Sequence, residues 1–206
     1  MTPLWLASFY GVIETAVKLV SSGANPNERT NPGKSKYGYG PLHVAVQENH
    51  LDTVKLLVQN GANIDLKTID HGRTALGISA FKGHAEIADL LLTSGANYDL
   101  TDNFSETPLY KSTYFRFAAI ARSLIQRGAD VNKANTQGFS PLHAAAKKGY
   151  KDIVSLLLEN GADVNVVDDY DATPLDNARS RGHEDVIKLL TARMAKQDRR
   201  VKLWEN

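Results

Sequence analysis

The sequence predicts an all-α chain of six tandem two-helix repeats, and three observations carry that reading. The pair Gly-Ala followed by Asn or Asp begins at Gly23, Gly61, Gly95, Gly128 and Gly161, at intervals of 38, 34, 33 and 33. A second anchor, the Leu of a Thr-Pro-Leu-like triplet, stands at Leu4, Leu42, Leu76, Leu109, Leu142 and Leu175, with intervals of 38, 34, 33, 33 and 33. Two independent anchors with one period mark internal repeats. The third observation is a helix start locked to that period. Thr2, Thr107, Ser140 and Thr173 suit the N-cap, and Pro3, Pro108, Pro141 and Pro174 follow where a missing N–H costs nothing.

Within each unit the elements follow in order. Gly40 and Thr74 take the cap place in the second and third units, before Pro41 and Ala75. A first helix of two turns ends near Gly11, Asn49, Gly83, Gly149 or Gly182. The second helix carries the main apolar stripe, as in Ile87, Leu90, Leu91 and Leu92, or Ile153, Val154, Leu157 and Leu158. The Gly of each Gly-Ala pair closes it in the left-handed conformation. A polar stretch such as Asp130 to Gly138 follows, too short for a third helix and rich in turn formers.

Composition narrows the function classes. The 206 residues carry 24 Lys+Arg against 23 Asp+Glu, a net charge of +1, which weighs against a broad grip on nucleic acid or anionic lipid. Cysteine is absent, which excludes disulfides, thiolate metal sites and a cysteine nucleophile. No apolar run reaches the length of a membrane span. The start, MTPLWLASFYGVIE, lacks the basic segment of a signal peptide. No phosphate-cradling Gly-x-x-x-x-Gly-Lys run or nucleophile elbow is present, so no enzyme activity and no cofactor are expected. The run Asp168, Asp169, Asp171 lacks the glycine and the distant Glu of a calcium loop and reads as a solvated turn.

The unit SPLHAAAKKGYKDIVSLLLENGADVN, Ser140 to Asn165, resembles the ankyrin-repeat consensus almost throughout, and the likeness extends over nearly the whole chain. The resemblance implies antiparallel helix pairs with projecting β-hairpin fingers, stacked into a curved solenoid. It divides the chain, read as a single domain, into repeats 1–30, 31–68, 69–101, 102–134, 135–167 and 168–206, with a basic tail from 193. That tail is expected to extend the last helix into solvent. The resemblance also assigns His43 and His143 to a slot that bonds loop backbone, and His50, His84 and His183 to the start of second helices. Only His71 is left over, so no metal site is expected.

Departures from the pattern are local. Five extra residues within TNPGKSKYGYG are expected to form a mobile loop. In the fourth unit Arg116 replaces Gly or Asn, which predicts a strained or redrawn helix–helix turn with an exposed aromatic cluster around it. Trp5 occupies the His slot of the first unit. Leu4, Trp5, Phe9 and Tyr10 make a poor polar cap, so either the chain is a fragment of a longer protein or a partner covers that end.

In the ankyrin family the contact surface is the concave side, made of finger tips and the outward face of each first helix. Of the chain's 8 Tyr and 6 Phe, ten fall at those positions: Phe9, Tyr10, Tyr37, Tyr39, Phe81, Phe104, Tyr114, Phe115, Phe139 and Tyr170. The stack does not require aromatics there, whereas a recognition hot spot does. With Arg73, Lys82, Lys147 and Lys148 as a positive rim, they predict a groove for a segment of another protein with acidic flanks. The expected role is a protein-interaction module, an intracellular adaptor, inhibitor or targeting domain acting as a monomer. The alternatives are the targeting arm of a larger enzyme or of an effector secreted into a host cell, and a small-ligand or nucleic-acid binder using the aromatics for stacking. Resemblance further implies that Asn27, Asn132 and Asn165 occupy a place where ankyrin fingers are hydroxylated.

Overall fold

The computed structural model describes residues 1–30 and 38–204, with side chains of the last helix through 197. The described residues hold helices and turns and no strand. They divide into two compact units, Met1–Pro108 and Leu109–Asn206. The first contains α1 (Pro3–Tyr10), α2 (Ile13–Ser21), α3 (Pro41–Gln47), α4 (Leu51–Gln59), α5 (Ala75–Lys82) and α6 (Ala85–Thr93). The second contains α7 (Pro108–Tyr114), which starts at the division, then α8 (Ala118–Gln126), α9 (Pro141–Lys148), α10 (Lys151–Glu159), α11 (Pro174–Ser180) and α12 (Glu184–Trp204). Residues 31–37, and with them most of the expected mobile loop and Tyr37, lie outside the described residues.

The first helices begin where the caps predict. Thr2, Thr74, Ser140 and Thr173 each accept, through the side-chain hydroxyl, the N–H three residues on, at 3.1–3.3 Å. At Gly40, which has no side chain to offer, the Nδ1 of His43 accepts the cap N–H instead at 3.0 Å. In the first unit α1, α3 and α5 pack in succession, as do α2, α4 and α6 behind them. In the second unit α9 packs on α10 and α11, and α12 on α10 and α11. Leu42, Val54, Leu57, Leu76 and Leu91 in one unit, and Leu142, Ile153 and Leu157 in the other, are at most 4% exposed. These are the periodic apolar positions, and their burial is the main stabilising term.

Each second helix except the last, α12, is followed by a left-handed glycine. Gly61 has φ of 81°, and a Cβ placed there would meet nothing within 4 Å, so the backbone conformation alone selects glycine. At the helix–helix turn Gly149, with φ of 73°, the reason is double. A Cβ would come within 2.6 Å of the His183 ring.

Of the two expected outcomes at Arg116, a strained or a redrawn turn, the structure has the strained one. Arg116 adopts φ of 62°, and the Phe117 N–H reaches the Ser112 carbonyl at 2.7 Å. The same five-residue bond joins Tyr150 to Ala145 at 3.0 Å across Gly149. The turn is kept and the arginine backbone is forced into the glycine conformation, because the following helix cannot start otherwise.

The fingers are closed by single backbone bonds rather than by paired strands. Thr30 N–H donates to the Tyr39 carbonyl, Thr68 to Arg73, Asp102 to Glu106, Asn135 to Phe139 and Asp168 to Ala172, at 2.9–3.2 Å. An Asx turn rigidifies three of them. The Oδ1 atoms of Asp102, Asn135 and Asp168 each accept the N–H groups two and four residues on. Successive repeats are laced by side-chain amides. Asn27 donates to the Gly61 carbonyl and accepts from Asn63 N–H, and Asn132 does the same with Gly161 and Asp163. The last helix continues through the basic tail, where Arg193 donates to the Leu158 carbonyl at 3.1 Å. No helix of the described residues is long and apolar enough to cross a membrane.

Candidate interaction surface

Five histidines serve the scaffold. His43 Nε2 bonds the Leu66 carbonyl at 2.7 Å and His143 Nε2 the Ala172 carbonyl at 2.9 Å. Because each Nδ1 accepts a backbone N–H, each Nε2 carries the proton and both rings are neutral. Burial pushes the His43 pKa down to about 4, against a raising effect of the Leu66 bond, and burial lowers His143 as well. His50, His84 and His183 reach back to the Phe9, Gln47 and Lys147 carbonyls. Trp5 does in the first repeat what His143 does in the fifth. Its indole Nε1 donates to the Tyr39 carbonyl at 3.1 Å. His71 pairs with Asp70 at a finger. Burial pushes Asp70 up, but hydrogen bonds from His71 and Thr68 outweigh it and hold the carboxyl below its ordinary value. Among the described residues no three His, Asp or Glu side chains converge as a metal site.

In the first unit, six of the sequence positions discussed above meet around one cavity of about 440 Å³: Trp5, Phe9, Tyr39, Arg73, Phe81 and Lys82. Trp5 and Phe9, one helical turn apart on α1, stack with centroids 5.4 Å apart and planes 5° from parallel. Tyr39 is buried and forms wall rather than an exposed anchor. The Arg73 guanidinium lies over the Phe81 ring, 4.6 Å from its centroid. Phe104 is 49% exposed at its finger, beside the His71 ring.

In the second unit the aromatics of the fourth repeat form a ladder. Tyr110, Tyr114, Phe115 and Phe117 follow one another at centroid distances of 6.3, 5.0 and 6.3 Å. Of the expected exposed cluster around Arg116 only Phe115, 40% exposed, stands open; Tyr114 and Phe117 are half-buried and Tyr110 is buried. Lys148 sits over Tyr114 at 4.3 Å, Lys147 over Phe139 at 4.9 Å and Arg116 over Tyr150 at 5.3 Å. Tyr170, at a finger tip, is 74% exposed. Sequence reasoning missed Phe117 and Tyr150, which open second helices where other repeats have His. It also missed the seating of cations on rings, for which the sequence offered only the proximity of the two residue types.

Comparison with known proteins agrees with this architecture. A family model described as ankyrin repeats in three copies matches residues 119–200, one described as ankyrin repeats in many copies matches 42–92, and one for a single ankyrin repeat matches 1–31. A curated ankyrin repeat-containing protein of Schizosaccharomyces pombe is 37% identical over 73 residues. The match covers 35% of this chain and 32% of that relative, so it spans about a third of the relative's length.

Proposed function

Since this chain belongs to the ankyrin-repeat family, whose members are generally protein–protein interaction modules and typically non-catalytic, we propose that it acts without catalysis and binds a segment of another protein. The contacts come from the finger and first-helix aromatics. The observation that supports this is their electrostatic dressing. Arg73, Lys147 and Lys148 each lie on one of the rings at these positions, at 4.3–4.9 Å. Such a surface combines large rigid apolar area with positive charge held near it, which suits an acidic, apolar partner segment and repels a cationic one.

The test is quantitative capture from extract of the cells that make the protein. Wild type is compared with Phe81→Ala/Phe104→Ala/Phe115→Ala/Phe139→Ala, after circular dichroism has shown equal helix content. Tyr39 is left intact because it is part of the core. A specific partner held by the wild type and lost by about tenfold or more in the variant is the expected result, as for removal of several hot-spot rings. Equal capture by both proteins refutes the assignment of these aromatics.

A further inference from the structure

We propose that the cavity of the first unit is a specific pocket for a bulky apolar side chain with a carboxylate beside it, a Phe next to Asp or Glu in an extended partner segment. The inference deepens the interaction reading above and rests on it. The cavity, about 440 Å³, falls at the small end of ligand pockets and suits one large side chain rather than a helix. Its apolar wall is the stacked Trp5–Phe9 pair from α1, with Tyr39 and, from α5, Phe81.

The cations at this wall make the pocket selective. Arg73 is held in place by Phe81 beneath its guanidinium and by Asp102, whose Oδ2 lies 3.8 Å from Nε. That distance is too long for a hydrogen bond, and Nε is buried with no hydrogen-bond partner. Asp102 has already committed its Oδ1 to the Phe104 and Glu106 N–H groups. The adjoining cation, Lys82, is exposed and forms no ion pair among the described residues. A purely apolar guest would strip water from the part of the Arg73 side chain that is still open, 18% of it, and from the exposed Lys82, which carries a desolvation cost. A cationic guest would meet two like charges. A carboxylate beside the apolar group removes both penalties.

Three blocked dipeptides test this: N-acetyl-Phe-Glu-amide, N-acetyl-Phe-Lys-amide and N-acetyl-Ala-Glu-amide, titrated into full-length protein at millimolar concentration. The chain has two tryptophans, so Trp204→Phe leaves Trp5 as the single reporter, read by its indole N–H resonance and its fluorescence. The Phe-Glu probe is expected to perturb Trp5 and to bind about fivefold more tightly than either control, the range that one exposed ion pair supplies. Lys82→Glu, an exposed change that leaves the core untouched, is expected to cancel the preference for Glu over Lys. Equal affinity of the Phe-Glu and Phe-Lys probes, or an unmoved Trp5, overturns the pocket assignment. So does a perturbation of Trp5 by a thymidine dodecamer but not by the acidic probe, which would assign the wall to base stacking. An unmoved Trp5 together with loss of partner capture in the aromatic variant would sink the pocket alone. Expected probe binding with unchanged capture would sink the interaction reading.

Discussion

His43 links the stability of the first unit to pH, and the effect can be worked from its surroundings. The ring is 1% exposed, its Nδ1 accepts the Gly40 N–H, and its Nε2–H donates to the Leu66 carbonyl. A proton added to Nδ1 would break the first bond and leave a charge where water cannot reach it. Burial accordingly depresses the pKa to about 4. In the unfolded chain the value is near 6.5. Between these two values the unfolded state binds more protons, so stability rises with pH there. The contribution is fully present above about pH 6.5 and is lost as pH falls through about 4. At about pH 4.5 the linkage removes roughly 2–3 kcal/mol relative to neutral pH. The perturbation is His43→Gln, which does not titrate. The assay is urea unfolding followed by Trp5 fluorescence in the Trp204→Phe background, since Trp5 bonds the Tyr39 carbonyl within the same unit. Other titrating groups act on both proteins and cancel in the difference. The advantage of wild type over His43→Gln should shrink by that amount between about pH 7.5 and pH 4.5. Parallel pH profiles would refute the assignment of a buried neutral imidazole.

Two further outcomes follow from the same structure. Gly61→Ala meets no atom within 4 Å and should cost only about 1 kcal/mol, the price of a left-handed alanine, whereas Gly149→Ala also drives a methyl into the His183 ring and should cost more than about 2 kcal/mol by chemical denaturation. Trp5→Phe removes the indole donor, but Thr30 N–H still donates to the same Tyr39 carbonyl, so the lost bond should cost only about 1 kcal/mol; a much larger loss in urea would mean that Trp5 alone fixes that finger.

The 33-residue period made the helices legible because cap, proline, apolar stripe and left-handed glycine recur in a fixed order, and each constrains the backbone locally. Lys111 shows where such reading ends. It stands in the slot that Ala144 fills in the next repeat, and the periodic pattern gives no reason for a lysine there. The structure buries it to 2% and engages it within the fold. Arg116 marked an altered turn in the sequence, but not whether it would be strained or redrawn, for a related reason. Sequence registers the missing glycine, but the strain of one left-handed arginine is smaller than the cost of moving two packed helices.

The candidate surface was legible as positions and illegible as chemistry. Phe81, Tyr114 and Phe139 stand at free positions of the repeat, which suggests bare rings open to stacking by any planar guest. Whether a ring face is open depends on side chains from other turns and fingers, and here Arg73, Lys148 and Lys147 occupy those faces. Each cation lowers its own desolvation cost by lying on a ring, and each ring is thereby converted from a site that attracts positive charge into one that repels it. The same residues that would have argued for a cationic or nucleobase guest, read singly, therefore argue for a carboxylate when read in pairs. That inversion arises from three contacts, none between residues adjacent in the chain, and it makes the charge of the guest the quantity on which the whole reading turns.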